Sequence, residues 1–339
     1  MYRCLELAKL GKGYVAPNPL VAAILVYDDR IIGEGYHQQY GKAHAEVICI
    51  NGVEERNKTL ISQSVLYVSL EPCAHFGKTP PCTDLIIQHK IPRVVIACRY
   101  PFEEVNGKGI EKLQHAGIEV TIDILANEAK ELNKRFFTFH EKRRPYIVLK
   151  WAQTVDNKIA ALSKERLFIT NEYSNRLVHQ WRSEETAIFI GTNTALLDDP
   201  SLNNRFAAGR SPVRLVLDKH LRLSPTLKIF DNSLKTIIFN NIKQEEDKNT
   251  IFYRLEKAEN IIQQIMDACY QLNIQSILVE GGAKTLQSFI DGDIWDEVRV
   301  ITNEFLLVGD GLSAPQLRNA LYMKEEKYRN DLIQYYKHE

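Results

Sequence analysis

"SLEPCAHFGKTPPC" (residues 69–82) carries a Pro-Cys pair at 72–73 and repeats it at 81–82. Two chemistries make sense of the repeat. The thiols could close the loop as a disulfide, or they could hold a metal with a third ligand from elsewhere in the chain. The compartment weighs between them. "MYRCLELAKLGKG" at the start has the pattern of a short amphipathic helix with charges inside it. It lacks the unbroken apolar core and small-residue cleavage site of a signal peptide, so a reducing cytoplasm is expected. Cys4, Cys49, Cys98 and Cys269 sit among apolar residues and read as small buried hydrophobes.

The third ligand lies in "HAE" (44–46). A catalytic zinc takes three nitrogen or sulfur ligands and keeps a fourth position for water. His44, Cys73 and Cys82 supply one imidazole and two thiolates. Zinc lowers the pKa of a water it holds from about 15.7 to about 7, which makes hydroxide available at neutral pH. A carboxylate that is not a ligand must then carry the proton to the leaving amine, and Glu46 is placed for that. His-x-Glu, then Pro-Cys, then a later Cys is the order of the zinc deaminases, although the two cysteines here are nine positions apart and a loop is inserted between them. The competing reading is a chance His-x-Glu beside two structural cysteines. The paired prolines and the strands leading into both motifs outweigh it.

Outward from this centre, strand-like stretches alternate with helical ones. "LVAAILVY" (20–27) reads as a buried strand and "RIIGEGYH" (30–37) as its hairpin partner across Asp28-Asp29. "SVLYVSL" (64–70), "RVVIAC" (93–98) and "IEVTI" (118–122) are further strands. Helices are expected from residue 44, over 83–90 and 108–117, and as one closing helix over 126–142. The alternation predicts a mostly parallel sheet covered on both faces. "EKRRP" (141–145) breaks it with charge and proline, which places a domain boundary between 142 and 143.

A second α/β domain, 143–339, follows. Its expected strands are "YIVLKWA" (146–152), "AIFIG" (187–191), "VRLVLD" (213–218), "KTIIFN" (235–240), "SILVEGG" (276–282) and "DEVRVIT" (296–302). Its helices are expected over 171–183, capped by Asn171, over 259–272 and over 283–291. The "TALLDDPSLNNR" stretch (194–205) reads as a polar turn. With 339 residues, 45% hydrophobic and 25% charged, two globular domains are comfortable. Lys+Arg and Asp+Glu number 43 each, and this balance argues against broad nucleic-acid binding. No apolar run reaches the length of about 18 residues that suggests a membrane span.

"APNPLVAA" (16–23), "HAEV" (44–47), "EPCAHFGKTPPC" (71–82) and "NGKGIEKLQHAGIEV" (106–120) resemble the deaminase half of the bifunctional riboflavin-biosynthesis deaminase–reductases. The resemblance continues through "LKWAQTVDNKIA" (149–160), "GTNTALLDDPSLNNR" (191–205) and "VEGG" (279–282). It implies an N-terminal cytidine-deaminase-like α/β/α sandwich, followed by a dihydrofolate-reductase-like α/β domain. It implies zinc and NADPH as cofactors. The implied reactions are removal of the exocyclic amine of a diaminopyrimidinone ribosyl phosphate, then reduction of the ribosyl group to ribityl. In the first half it makes His44, Cys73 and Cys82 the zinc ligands, Glu46 the proton carrier, and Asn18, His75 and Lys78 substrate contacts. Read alone, Lys78 is a solvated loop charge, although a cation there suits a phosphate.

In the second half, "SILVEGGAKTL" is a strand, two glycines and a helix start. Backbone N–H groups at such a start can receive a cofactor phosphate, and the stretch reads equally as a plain strand–helix turn. The resemblance assigns Gly282, Ala283, Lys284, Thr285, Leu286, Gln287 and Ser288, with Ala152, Phe168, Thr194 and Asp198, to the nicotinamide cofactor. It assigns Arg182, Leu202, Arg205 and Glu280 to the substrate. Arg suits a phosphate through bidentate hydrogen bonding. Departures from the family pattern include Asn157 in place of the glycine of an Asp-Gly turn, a segment 161–170 without glycine where a small Gly/Ser-rich loop is usual, and three further positions. Arg166 stands where a substrate-contacting serine is usual and is expected to add a charged contact to the phosphate; the alternative is that it fills the space the ribose needs and leaves a domain that binds without turnover. Ala22 replaces a glycine near the deaminase floor, and Tyr100 stands in what is commonly an Asp-Pro turn.

The expected partners are a small phosphorylated pyrimidine and a further copy of the chain, with no nucleic acid and no membrane. Two alternatives are kept. One is a pyrimidine nucleotide deaminase whose second domain only binds, and the other is a nucleic-acid editing enzyme, which the balanced charge disfavours.

Overall fold

The structure, a computed structural model, describes residues 1–76, 80–101, 106–162, 167–256 and 260–339. It divides into two compact units, Met1–Arg143 and Arg144–Glu339. The first unit runs α1 (Tyr2–Lys9), β1 (Ala22–Tyr27), β2 (Arg30–Tyr36), α2 (Ala45–Asn51), β3 (Val65–Val68), α3 (Cys82–Gln88) and β4 (Arg93–Ile96). It continues with α4 (Lys108–His115), β5 (Glu119–Thr121), α5 (Ala126–Leu132) and α6 (Lys134–Lys142). The strands form one sheet in the order β2-β1-β3-β4-β5.

The expectation of a mostly parallel sheet is corrected here. β1 runs antiparallel to both β2 and β3, and the parallel pairings are β3–β4 and β4–β5. The cause is local. Asp28 and Asp29 both take positive φ, 46° and 57°, the conformation of a two-residue turn whose twist matches a hairpin. Alternate residues of β1 then serve opposite faces. Ala23 and Leu25 pack with Cys49 and Ile50 of α2 and Ile86 of α3, while Ala22 and Ile24 pack under α1 with Cys4 and Leu7. The sheet is therefore covered on both sides, as an α/β/α sandwich.

The single closing helix is also corrected, because it breaks into α5 and α6 at Asn133. The Asn133 side-chain carbonyl accepts the Leu20 N–H at 2.8 Å, and its amide donates to the Leu20 carbonyl at 3.0 Å. That stitch to the start of β1 competes with helix continuation, as local Asn hydrogen bonding often does.

The second unit runs β6 (Tyr146–Thr154), β7 (Lys158–Ala161), α7 (Glu172–Glu184), β8 (Ala187–Gly191), α8 (Thr192–Asp198), β9 (Val213–Leu217), β10 (Thr236–Asn240), β11 (Glu245–Asp247) and β12 (Thr250–Arg254). There follow α9 (Ile261–Gln271), β13 (Ser276–Val279), α10 (Ala283–Asp291), β14 (Glu297–Asn303), β15 (Gly311–Ser313), β16 (Ala320–Tyr328) and β17 (Asp331–His338). Ten strands share a sheet in the order β11-β12-β10-β9-β8-β13-β6-β14-β17-β16. The strands from β12 to β14 in that order are parallel. α7 starts at Asn171, whose side chain accepts from the N–H groups of Tyr173 and Ser174.

Two features differ from expectation. Thr192–Asp198 is a helix where a polar turn was expected, and Ala195 is its one buried residue. The β16–β17 hairpin has no matching strand pattern in the sequence because β16 is an edge strand, exposed along most of its length, so "KEEKY" shows no alternation. The register places Val279 beside Leu149 and Phe189, so Glu280 lies just past the carboxyl end of β13, next to the middle of β6 and the last residues of β8. Ligands bind at that end of an open parallel sheet. Among the described residues, no helix is long and apolar enough to cross a membrane.

Candidate functional site

In the first unit, His44 is the N-cap of α2 and Cys82 is the first residue of α3. Cys73 is brought to them because its carbonyl accepts both the N–H and the hydroxyl of Thr83, each at 3.2 Å. The Cys82 N–H donates to Cys73 Sγ at 3.3 Å. His44 Nδ1 lies 3.3 Å from Cys82 Sγ and 3.6 Å from Cys73 Sγ, and both cysteines are free. Zn–S bonds of about 2.3 Å and a Zn–N bond of about 2.0 Å at the tetrahedral angle call for N···S separations of about 3.5 Å. The three donors fit zinc.

The electrostatics agree with that donor set. Donation from the Cys82 thiol pulls the Cys73 thiol down to about 4 against the opposing effect of burial, and His44 assists. The same bond and burial push Cys82 up. The Cys73 contact raises His44. Glu46 is buried beside them, 3% exposed, and burial raises its carboxyl above the usual range. A carboxyl that can hold a proton there suits acid–base work.

In the sequence Glu71 shows only as the residue before Pro72-Cys73, and the structure gives it a definite task. It is 4% exposed, and its carboxylate accepts four backbone N–H groups. Oε2 takes those of Tyr100 and Gly107 at 3.2 and 3.1 Å, and Oε1 takes those of Gly109 and Ile110 at 2.9 and 3.4 Å. It thus ties the segment before Cys73 to the first turn of α4, where a negative charge is favourable. Gly109 is required by the same packing, since a Cβ there would fall 2.1 Å from the Pro72 carbonyl oxygen.

His37 was also missed. It is buried, its Nδ1 lies 3.0 Å from the Ala43 carbonyl, and its Nε2 lies 3.1 Å from Asn18 Nδ2. With Nδ1–H donating to Ala43, Nε2 accepts from Asn18 and orients that amide. His75 is exposed, and Lys78 lies outside the described residues. Ala22 is fully buried under α1, and the Tyr100 ring packs edge-on to Phe136 at 5.3 Å.

In the second unit, Arg182 and Glu280 pair with each other. Nε and Nη2 of Arg182 donate to the two carboxylate oxygens, both at 2.7 Å, and Nη1 donates to the Asn203 carbonyl at 3.3 Å. Burial alone would raise Glu280, but Arg182 overrides it and holds the carboxyl below its ordinary range. Lys150, on the adjacent strand, was not singled out from the sequence. Burial pushes its ammonium down while Glu280 opposes that shift.

Leu202 has φ 51°, and its side chain is buried in the core. Its backbone is therefore what it can present to a ligand. Arg205 is exposed.

At the start of α10, Gly282 takes φ 71°, and a Cβ there would meet Thr194 Oγ1 at 3.2 Å. A Cβ on Gly281 would meet Thr194 Cγ2 at 2.9 Å, and one on Gly191 would meet Thr285 Oγ1 at 2.6 Å. These glycines leave a cradle between Thr194 and the first N–H groups of α10, which fits a cofactor phosphate. Within 282–288 the placements differ. Gly282 to Thr285 lie at the mouth and Leu286 is in the core. Gln287 is bonded to Asp291 and to the Gln316 N–H, and the Ser288 hydroxyl donates to the Lys284 carbonyl. Phe168 and Asp198 are exposed, Ala152 is half-buried, and Arg166 lies outside the described residues.

An α/β/α sandwich with a His/Cys/Cys cluster beside a buried glutamate defines a zinc-dependent deaminase unit, and the second unit is a reductase of the dihydrofolate-reductase-like kind. Residues 1–98 match the cytidine and deoxycytidylate deaminase zinc-binding region, and residues 145–330 match the RibD C-terminal domain. The chain belongs to the bifunctional deaminase–reductase family of riboflavin biosynthesis.

Riboflavin biosynthesis protein RibD of Aquifex aeolicus is 39% identical, over 99% of this chain and 97% of that protein. The Escherichia coli protein of the same name is 33% identical over 91% and 88%. A crystal structure of a diaminohydroxyphosphoribosylaminopyrimidine deaminase/5-amino-6-(5-phosphoribosylamino)uracil reductase from Thermotoga maritima superimposes with a TM-score of 0.89 at 35% identity, covering 99% of this chain and 97% of that one. Acinetobacter baumannii RibD superimposes with a TM-score of 0.91 at 31% identity, with the same coverage.

Proposed function

We propose that this protein acts twice on one phosphorylated pyrimidine. It hydrolyses the exocyclic amine of 2,5-diamino-6-(5-phosphoribosylamino)pyrimidin-4-one, and it then reduces the ribosyl group of the product to ribityl. The observation that carries the reading is the convergence of His44 Nδ1 and the two thiols on one point beside buried Glu46.

In the deaminase unit, proposed as residues 1–142, His44, Cys73 and Cys82 hold zinc. When bound, zinc supplies the Lewis acidity that makes water reactive at neutral pH. Glu46 moves the proton from the attacking water to the departing nitrogen. Asn18, oriented by His37, binds the edge of the heterocycle, and His75 and Lys78 meet the phosphate.

In the reductase unit, proposed as residues 143–339, the first turn of α10 and Thr194 bind the cofactor phosphates. The rest of 282–288, Ala152, Phe168 and Asp198 complete the cofactor wall. NADPH supplies the hydride when bound. Glu280, Arg182, Arg166, Arg205 and the Leu202 backbone orient the ribosyl phosphate. The enzyme works in the cytoplasm as a homo-oligomer.

An end-product assay tests this. Zinc-loaded full-length protein should release the deaminated ribosyl compound without NADPH and the ribityl compound with it. Ribosyl product in both arms would support the binding-only alternative for the second unit. No deamination by zinc-loaded protein would refute the proposal.

A further inference from the structure

Helix α7 grips the loop after α8 at two points. Arg182 donates to the Asn203 carbonyl at 3.3 Å. One turn earlier on the same face, His179 accepts the backbone N–H of Arg205 through Nδ1 at 3.1 Å. His179 is 1% exposed, and its ring stands edge-on to Phe206 with centroids 4.7 Å apart. An acceptor at Nδ1 means a neutral ring with its hydrogen on Nε2. Burial, with Arg182 and Arg205 adding to it, pushes the imidazole down to about 4 and keeps it neutral. Between the two grips, Asn204 organises the turn from within, through the Ala207 carbonyl and N–H at 2.8 and 3.1 Å. Residues 203–206 are thus held by α7 on both sides of Asn204.

We propose that His179 is a positioning residue of the reductase site, whose Nδ1 pins the Arg205 backbone so that the exposed Arg205 side chain meets the substrate phosphate from one fixed origin. The proposal rests on the reading of Arg205 as a substrate contact. His179 acts through Arg205 and not on the reacting atoms. Without the pin, the loop must be ordered by the substrate itself, which weakens binding in ground state and transition state alike.

The test uses zinc-loaded full-length protein, pre-deaminated substrate and saturating NADPH. His179→Leu removes the acceptor and should raise the substrate KM about five- to tenfold, with kcat and NADPH affinity unchanged. His179→Asn places Oδ1 where Nδ1 stood and should return KM to within about twofold of the parent. Arg205→Ala should raise KM by itself and make His179→Leu silent in its background.

A normal KM in His179→Leu, with KM raised in Arg205→Ala, overturns the positioning role and leaves the Arg205 reading intact. A normal KM in Arg205→Ala overturns the Arg205 reading and the proposal with it. Equal losses of kcat and NADPH affinity in His179→Leu and His179→Asn would mark a merely structural residue and also overturn it. Should His179→Leu fail to fold, His179→Gln takes its place, since it moves the acceptor by one methylene. A raised KM in His179→Gln beside a normal one in His179→Asn supports the proposal, and equal values overturn it.

Discussion

Replacing Glu71 with Gln would test the tie between the Pro72–Cys73 segment and α4. The carboxylate accepts four N–H groups, two on each oxygen. A glutamine keeps one oxygen and turns an NH2 group toward the other two donors, so two hydrogen bonds to a charged group are lost and two N–H groups face a donor. Such bonds contribute roughly 1.5–3 kcal/mol each, so the expected cost is about 3–6 kcal/mol. That is a large part of the stability of a single domain, typically about 5–15 kcal/mol.

The units can be followed separately, because Trp151, Trp181 and Trp295 all lie in the second. Buried Cys4, Cys49 and Cys98, each 0% exposed, lie in the first. Labelling of those thiols across a urea series, on zinc-stripped protein, should shift to lower urea in Glu71→Gln while the tryptophan transition stays put. A thiol-labelling midpoint equal to the parent's would refute the tie.

Gly109→Ala would force the Pro72 carbonyl to move, since the new Cβ would sit 2.1 Å from its oxygen. Zinc retained after dialysis should fall well below one per chain, and full retention would count against the packing argument. Glu46→Gln should keep its zinc and lose about 10²–10⁴-fold in deamination, with reduction of pre-deaminated substrate unaffected. Loss of zinc instead would make Glu46 structural. His179 is pushed down to about 4 in the folded chain, against about 6.5 when unfolded, so the unfolded chain binds more protons in that window. Its share of stability is full above about pH 6.5 and is lost as pH falls toward 4. The tryptophan-monitored midpoint should therefore fall more steeply from pH 6.5 to 4.5 in the parent than in His179→Asn, and equal slopes would refute it.

Local signals carried much of this fold. Asp28-Asp29 between two apolar runs specifies a hairpin, Asn171 before an amphipathic run specifies a helix start, and apolar stretches of four to nine residues specify buried strands. The grouping of His44, Cys73 and Cys82 was legible because metal-ligand chemistry restricts residue types strongly, so few combinations compete. What stayed hidden depended on partners distant in sequence. Asn133 ends a helix only because Leu20 is beside it, 113 residues away. Glu71 is an anchor only because four N–H groups from 29 to 39 residues further on converge on it. His179 and Lys150 look like ordinary helix and strand residues until Arg205 and Glu280 are folded against them. Propensity, capping and turn geometry act within a few residues and can be read along the chain. The pairing of one buried polar group with another is chosen by packing, and it exists only once the chain has closed.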